Sequence, residues 1–198
     1  LQDAMSKMKP VALLASVFIA ATSGCASRPP ISFEPPAPTQ CCSTFHSFHF
    51  GDLGPDGADS VSIQVGQSPT FDFPEGRSTF VAYKVPATHP EVVEVRTYIA
   101  AWGAMLLPHV TIFKPRLMFL DDNLHITETD RLEPLKRRSR SLATPYFFAR
   151  AQIPANAKYM VVYAASSANS ERLIAYSQNG SMYAIPNAYE GKISITFP

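Results

Sequence analysis

Cysteine is scarce in this chain, three residues in 198, which excludes a disulfide-dense scaffold. An excess of charge of one sign is also missing. Lys and Arg number 17 against 16 Asp and Glu, for a net +1. A surface so balanced draws a polyanion weakly, so nucleic acid is not an expected partner. Apolar runs are short as well. The run from Pro10 to Ala21 covers 12 residues, below the ~20 that a bilayer-spanning helix needs. There is no Gly-x-Ser-x-Gly elbow, phosphate loop or dinucleotide fingerprint, and no internal repeat. These absences make a non-enzyme without a cofactor the default expectation.

What is present begins with a basic, apolar and small-residue succession at the N-terminus. Lys7 and Lys9 precede the apolar run, and Thr22-Ser23-Gly24 lead into Cys25. That order is the pattern of a secretory signal. Because it ends in Gly-Cys, it resembles a bacterial lipoprotein signal. The resemblance implies removal of residues 1–24, acylation of Cys25 and a periplasm-facing body anchored by lipid. Ala26 in place of Asp after the cysteine implies the outer membrane. Removing Asp3, Lys7 and Lys9 leaves 174 residues with 15 charges of each sign (17 − 2 and 16 − 1), enough for one well-buried core.

Residues 25–42 read as a tether. Five prolines stand among residues 26–40, fixing φ and withholding amide donors, so an extended path of about 45 Å is expected. Cys41 and Cys42 follow. Neighbouring Cα atoms lie about 3.8 Å apart across a trans peptide, closer than relaxed disulfides adopt. The possibilities are a vicinal disulfide, which we favour, two free thiols, or pairing with another chain. A zinc site would need His46 and His49 as further ligands. In an extended Phe45-His46-Ser47-Phe48-His49-Phe50 an offset of three puts them on opposite faces.

The remainder, residues 43–198, is punctuated by Pro, Gly and Asn turns with period-two apolar alternation between them. Strands are expected over 61–65, 79–85, 93–99, 110–113, 117–120, 146–153, 159–165 and 192–197. In the third, Val93, Val95, Thr97 and Ile99 alternate with Glu94, Arg96 and Tyr98, which predicts one face in water. Two short helices are expected, over 128–142 and 167–176. The fold class that results is all-β, an antiparallel, jelly-roll-like β-sandwich.

Few residues offer chemistry. Asp52, Asp56 and Asp59 surround a Gly-rich loop without the alternation and later Glu of a calcium loop, so a turn is expected and no metal. Asp121, Asp122, Glu128 and Asp130 would need a suitable separation to act as an acid pair. His89, His109 and His125 stand singly beside turns. Lys136, Arg137, Arg138 and Arg140 form the one dense charge run. It reads either as a solvated loop or as a contact for anionic headgroups, lipopolysaccharide phosphates or peptidoglycan. Trp102, Tyr176, Tyr183 and Tyr189 sit among small and amide side chains. They are candidates to stack on a sugar face, against the plainer reading of sheet-edge residues.

Taken together, several stretches resemble the MalM family, periplasmic proteins associated with maltose operons. They are Cys41-Cys42 after a Pro-rich leader, residues 71–80 running on to Val85-Pro86, and residues 110–121. Further on come Tyr159-Met160-Val161-Val162-Tyr163, Ile185-Pro186 and Gly191-Lys192-Ile193. The likeness spans residues 38–198. It implies a connection to maltose or maltodextrin uptake and carries over no catalytic residue. The alternative is a module that docks another envelope protein or peptidoglycan.

Overall fold

Among the residues described by a computed structural model, fifteen short strands and a single 3-10 turn at Phe45–Ser47 make up the regular structure. The described residues are 33–39, 41–88, 90–102, 109–129, 132–138, 145–166, 168, 172–176 and 180–198, with the side chains of Trp102, His109 and Thr129 outside the description. The eight strands expected from the alternation all form.

The first sheet runs β1 (Gly51–Asp52), β4 (Gly76–Lys84), β12 (Tyr159–Ala164), β8 (Pro115–Leu120), β9 (Ile126–Thr129). Along the free edge of β4, β3 (Thr70–Phe73) pairs antiparallel with its first half and β1 parallel with its end. The second sheet is antiparallel throughout, in the order β10 (Lys136–Arg138), β11 (Tyr146–Gln152), β5 (Val92–Thr97), β15 (Gly191–Thr196), β2 (Ala58–Ile63). Two hairpins stand apart, β6 (Ile99–Trp102) with β7 (His109–Ile112), and β13 (Leu173–Tyr176) with β14 (Met182–Ile185).

Chain order and sheet order disagree in an informative way. Of the longer strands, β2, β5, β11 and β15 belong to the second sheet, and β4, β8 and β12 to the first, so the chain crosses between layers at nearly every step. Period two then buries alternate residues between the sheets. Leu117, Phe119, Met160 and Val162 meet Ile63, Val93, Val95, Ala151, Ile193 and Ile195, and all of these are buried. The result is an all-β sandwich.

One glycine is required by this packing. Gly57 has φ +99°, and a Cβ there would lie 1.9 Å from the Ile195 carbonyl oxygen. It precedes an irregular stretch of β2 where Ser60 takes φ +59° and the register against β15 shifts between Ile193 and Ile195.

Both helices expected from the sequence are absent where the structure describes them. Glu128 belongs to β9, residues 132–135 are irregular around Pro134, and 136–138 form β10. Residues 173–176 form β13, because Leu173 and Ala175 alternate with Ile174 and Tyr176 and the first pair packs inward beside Ile112, Phe147 and Ile185. The tether also ends sooner than expected. Pro36 is buried, and Thr39 and Thr70 exchange hydrogen bonds, Thr39 N donating to Thr70 Oγ1 at 2.9 Å and Thr70 N to Thr39 Oγ1 at 3.1 Å. Pro36, Thr39 and Cys42 therefore lie against the body, outside the 43–198 expected for it.

The outer face of the first sheet is apolar too, and a third layer covers it. Phe80, Ala82, Met118, Leu120, Val161 and Tyr163 lie under Phe48, Phe73 and the half-buried Phe45, Phe50 and Phe71. Phe48 stacks on Phe80 at 4.2 Å and Phe73 on Tyr163 at 3.9 Å. This arrangement explains the Phe-rich segment. Its three rings turn inward, while His46 and His49 are exposed.

Candidate functional site

The outer face of the second sheet has no such cover among the described residues, and its chemistry is different. On β11 the outward positions are Tyr146, Phe148 and Arg150, on β5 Glu94 and Arg96, and on β15 Lys192, Ser194 and Thr196. Register then sets their neighbours. Phe148 lies opposite Lys136 on one side and Arg96 on the other, Tyr146 opposite Arg138, and Glu94 between Arg150 and Thr196.

Glu94 is the centre of this face and is buried, at 1% exposure. Arg96 Nε donates to its Oε1 at 2.8 Å, and Arg150 donates to its Oε2 through Nε at 2.9 Å and Nη2 at 2.8 Å. Burial pushes the Glu94 carboxyl up, and the two arginines, through hydrogen bonds and charge, more than offset it, so its pKa ends below the ordinary value. For Arg96 the pattern is reversed. Burial works against its charge, the Glu94 carboxylate outweighs that, and its pKa is raised. The expectation of a β5 face in water is thus corrected: the carboxylate is sealed by two guanidinium groups.

The cations also lie over rings. Arg96 sits 5.2 Å from the Tyr146 centroid, Arg138 at 5.0 Å and Arg150 at 5.5 Å from that of Phe148, and the Lys192 ammonium at 5.8 Å from that of Tyr98. Tyr146 and Phe148 are buried beneath them. At the β2 side, Ser194 donates to Asp59 Oδ1 at 2.6 Å and lies 3.2 Å from the Tyr98 hydroxyl, and that hydrogen bond holds the Asp59 carboxyl below its ordinary pKa. At the other side β10 forms the sheet edge with Lys136 and Arg137 exposed, Lys136 bridging to Glu133 at 2.6 Å. A hollow of about 540 Å³ opens beside Arg150, lined also by Glu133, Gln152 and Pro198. The face therefore presents guanidinium groups and the Lys192 ammonium toward solvent, with the Ser194 hydroxyl buried beneath them, an arrangement suited to an anionic ligand.

The residues singled out by sequence fare unequally. Lys136, Arg137 and Arg138 form β10, and Lys136 and Arg138 join this face, whereas Arg137, opposite Phe147, lies on the other side of the strand; Arg140 and Cys25 lie outside the described residues. Tyr189 is corrected: at 2% exposure it is packed in the main core and offers no ring to a sugar. Tyr176 and Tyr183 are exposed, at 61% and 52%, on the β13–β14 hairpin. Tyr176 pairs with Met182 and Tyr183 with Ala175, so the two rings leave opposite faces and build no common platform. Trp102 ends β6, its side chain outside the description. Cys41 and Cys42 are bonded to each other, and Cys42 packs beside the Phe layer.

The carboxylates do not converge. Asp52 pairs with Lys84 at 3.0 Å and Asp59 with Ser194, while Gly57 N donates to the Gly54 carbonyl at 3.0 Å to close the turn between them. Asp121 accepts the amides of Asn123 and His125 in a turn of its own. Asp130 and His89 lie outside the described residues, among which no group of three His, Cys, Asp or Glu is arranged to hold a metal. The sequence reading missed Glu94, Arg96 and Arg150. The available signal was the charged Glu-x-Arg on a strand whose other face is Val93, Val95 and Thr97, followed 50 residues on by alternating Tyr146, Phe148 and Arg150. Comparison with protein-family models, curated proteins and solved structures finds no match to the chain.

Proposed function

We propose that this chain is a lipid-anchored, non-catalytic protein of the cell envelope that binds carbohydrate, with preference for acidic glycan, on the outer face of its second sheet. The observation that carries the reading is the lattice around Glu94. Arg96, Arg138, Arg150 and Lys192 lie on Tyr146, Phe148 and Tyr98, which fixes guanidinium edges toward solvent at little further entropic cost on binding. Rings already covered by cations are poor stacking platforms for a neutral sugar, so acidic groups are the better match. The signal-like N-terminus ending at Cys25 supports the anchor, and the MalM resemblance supports a place in sugar uptake.

Calorimetric titration of the full chain with an acidic oligosaccharide and with maltodextrin tests the reading. Binding of the acidic ligand is expected, weakened about tenfold by Arg138→Ala with Lys136→Ala. Binding of maltodextrin alone, untouched by those changes, would transfer the role to another surface. Intact mass of membrane-extracted protein tests acylation of Cys25.

A further inference from the structure

The aromatic residues of the open face follow one another in a series. Phe148 and Tyr146 lie two residues apart on β11, with ring centroids 6.3 Å apart. The pairing of Phe147 with Thr97 then brings Tyr98, just past the end of β5, beside Tyr146, with centroids 6.2 Å apart. Each ring carries a cation: Arg138 and Arg150 over Phe148, Arg96 over Tyr146 and Lys192 over Tyr98. Positive charge therefore recurs at three successive stations, first along β11 and then across toward β15.

Carboxylates do not cancel this series. Glu94 takes up one of the two guanidinium charges that it meets, those of Arg96 and Arg150. Asp59, at the β2 side, accepts from Ser194 and acts on Lys192 through charge alone. Among the described residues no carboxylate lies within ion-pair distance of Arg138, at the first station, or of Lys192, at the last. A ligand with a single acidic group would match one station and leave the others unused. A chain with an acidic group on each residue would meet them in turn, each later contact forming within a ligand already bound. We infer that the face selects a linear acidic oligosaccharide by length, at least three acidic residues being held in series from Arg138 and Arg150 through Arg96 to Lys192. This rests on the acidic-glycan reading above and adds to it a minimum ligand and a residue, Lys192, that sets it.

The test is calorimetric titration of the full chain, at one salt concentration, with galacturonic acid and its α-1,4-linked dimer, trimer and tetramer. Affinity is expected to rise with length, the trimer binding at least about tenfold more tightly than the monomer, and to level off beyond it. Lys192→Gln is expected to weaken trimer binding about tenfold and monomer binding less than about twofold. The melting temperature should be unchanged, because Lys192 is exposed. A fully methyl-esterified trimer is expected to bind no better than the monomer. Equal affinity at every length, or a trimer indifferent to Lys192→Gln, overturns the inference while the acidic-glycan reading stands. An esterified trimer that binds as tightly as the acid, or no binding at any length, sinks both.

Discussion

The two outer faces of this sandwich use aromatic residues in opposite ways. On the first sheet, Phe80 and Tyr163 are covered by other rings, Phe48 and Phe73, from the segments that fold over them. On the second, Tyr146 and Phe148 are covered by Arg96, Arg138 and Arg150. A ring covered by a ring is a closed core layer. Capped by a cation, it stays compatible with water and leaves charge on the surface. The difference is what singles out the face proposed to bind: the first sheet spends its outer face on a second core, and among the described residues nothing comparable covers that of the second sheet.

The largest effect should come from breaking the closed face. Phe48→Ala removes a ring 6% exposed and stacked on Phe80, and is expected to cost about 3–4 kcal/mol in denaturant unfolding. On the open face Glu94→Gln should cost less, about 2 kcal/mol at neutral pH, because Arg96 and Arg150 retain some access to water. Its pH signature is distinctive. Since the folded carboxyl titrates below its ordinary value of 4.5, the contribution of Glu94 is complete above that pH and is lost as pH falls through the folded pKa. Thermal unfolding from pH 7 to 3 should show the wild type losing stability over the acid end more steeply than the variant.

A smaller effect is expected from Arg138→Ala with Lys136→Ala, within about 0.5 kcal/mol in stability because both side chains lie on an edge strand and reach solvent. Their removal should register in ligand affinity instead. The smallest belongs to His46→Ala with His49→Ala. Both are exposed beside inward-facing Phe rings, so the melting temperature and its response to added zinc should be unchanged.

How much of this was legible in the sequence follows from the same contrast. Alternation in one strand is a local property, so the eight long strands and the sandwich could be read directly. The double-sided burial of β4 was legible as well, because Phe80 and Ala82 alternate with Val81 and Tyr83 and neither set is polar. Pairing across strands is not local. Glu94 and Arg150 lie 56 positions apart, and only the register of β5 with β11 makes them neighbours. The short edge strands β10 and β13, with the last two residues of β9, read as helix because their charged or mixed residues carry no strand pattern until a partner strand supplies one. Tyr189 looked like a surface ring from its polar neighbours, yet it fills the core beside Gly191, where a Cβ would lie 2.7 Å from that of Phe113.

The central claim is that the open face of the second sheet is where ligand binds. Amide chemical-shift mapping during addition of an acidic oligosaccharide tests it most directly. The account predicts perturbations concentrated in β5, β10 and β11, around Glu94, Arg138 and Arg150, with β4 and β12 unmoved. Shifts confined to the first sheet, or none at saturating ligand, would contradict it.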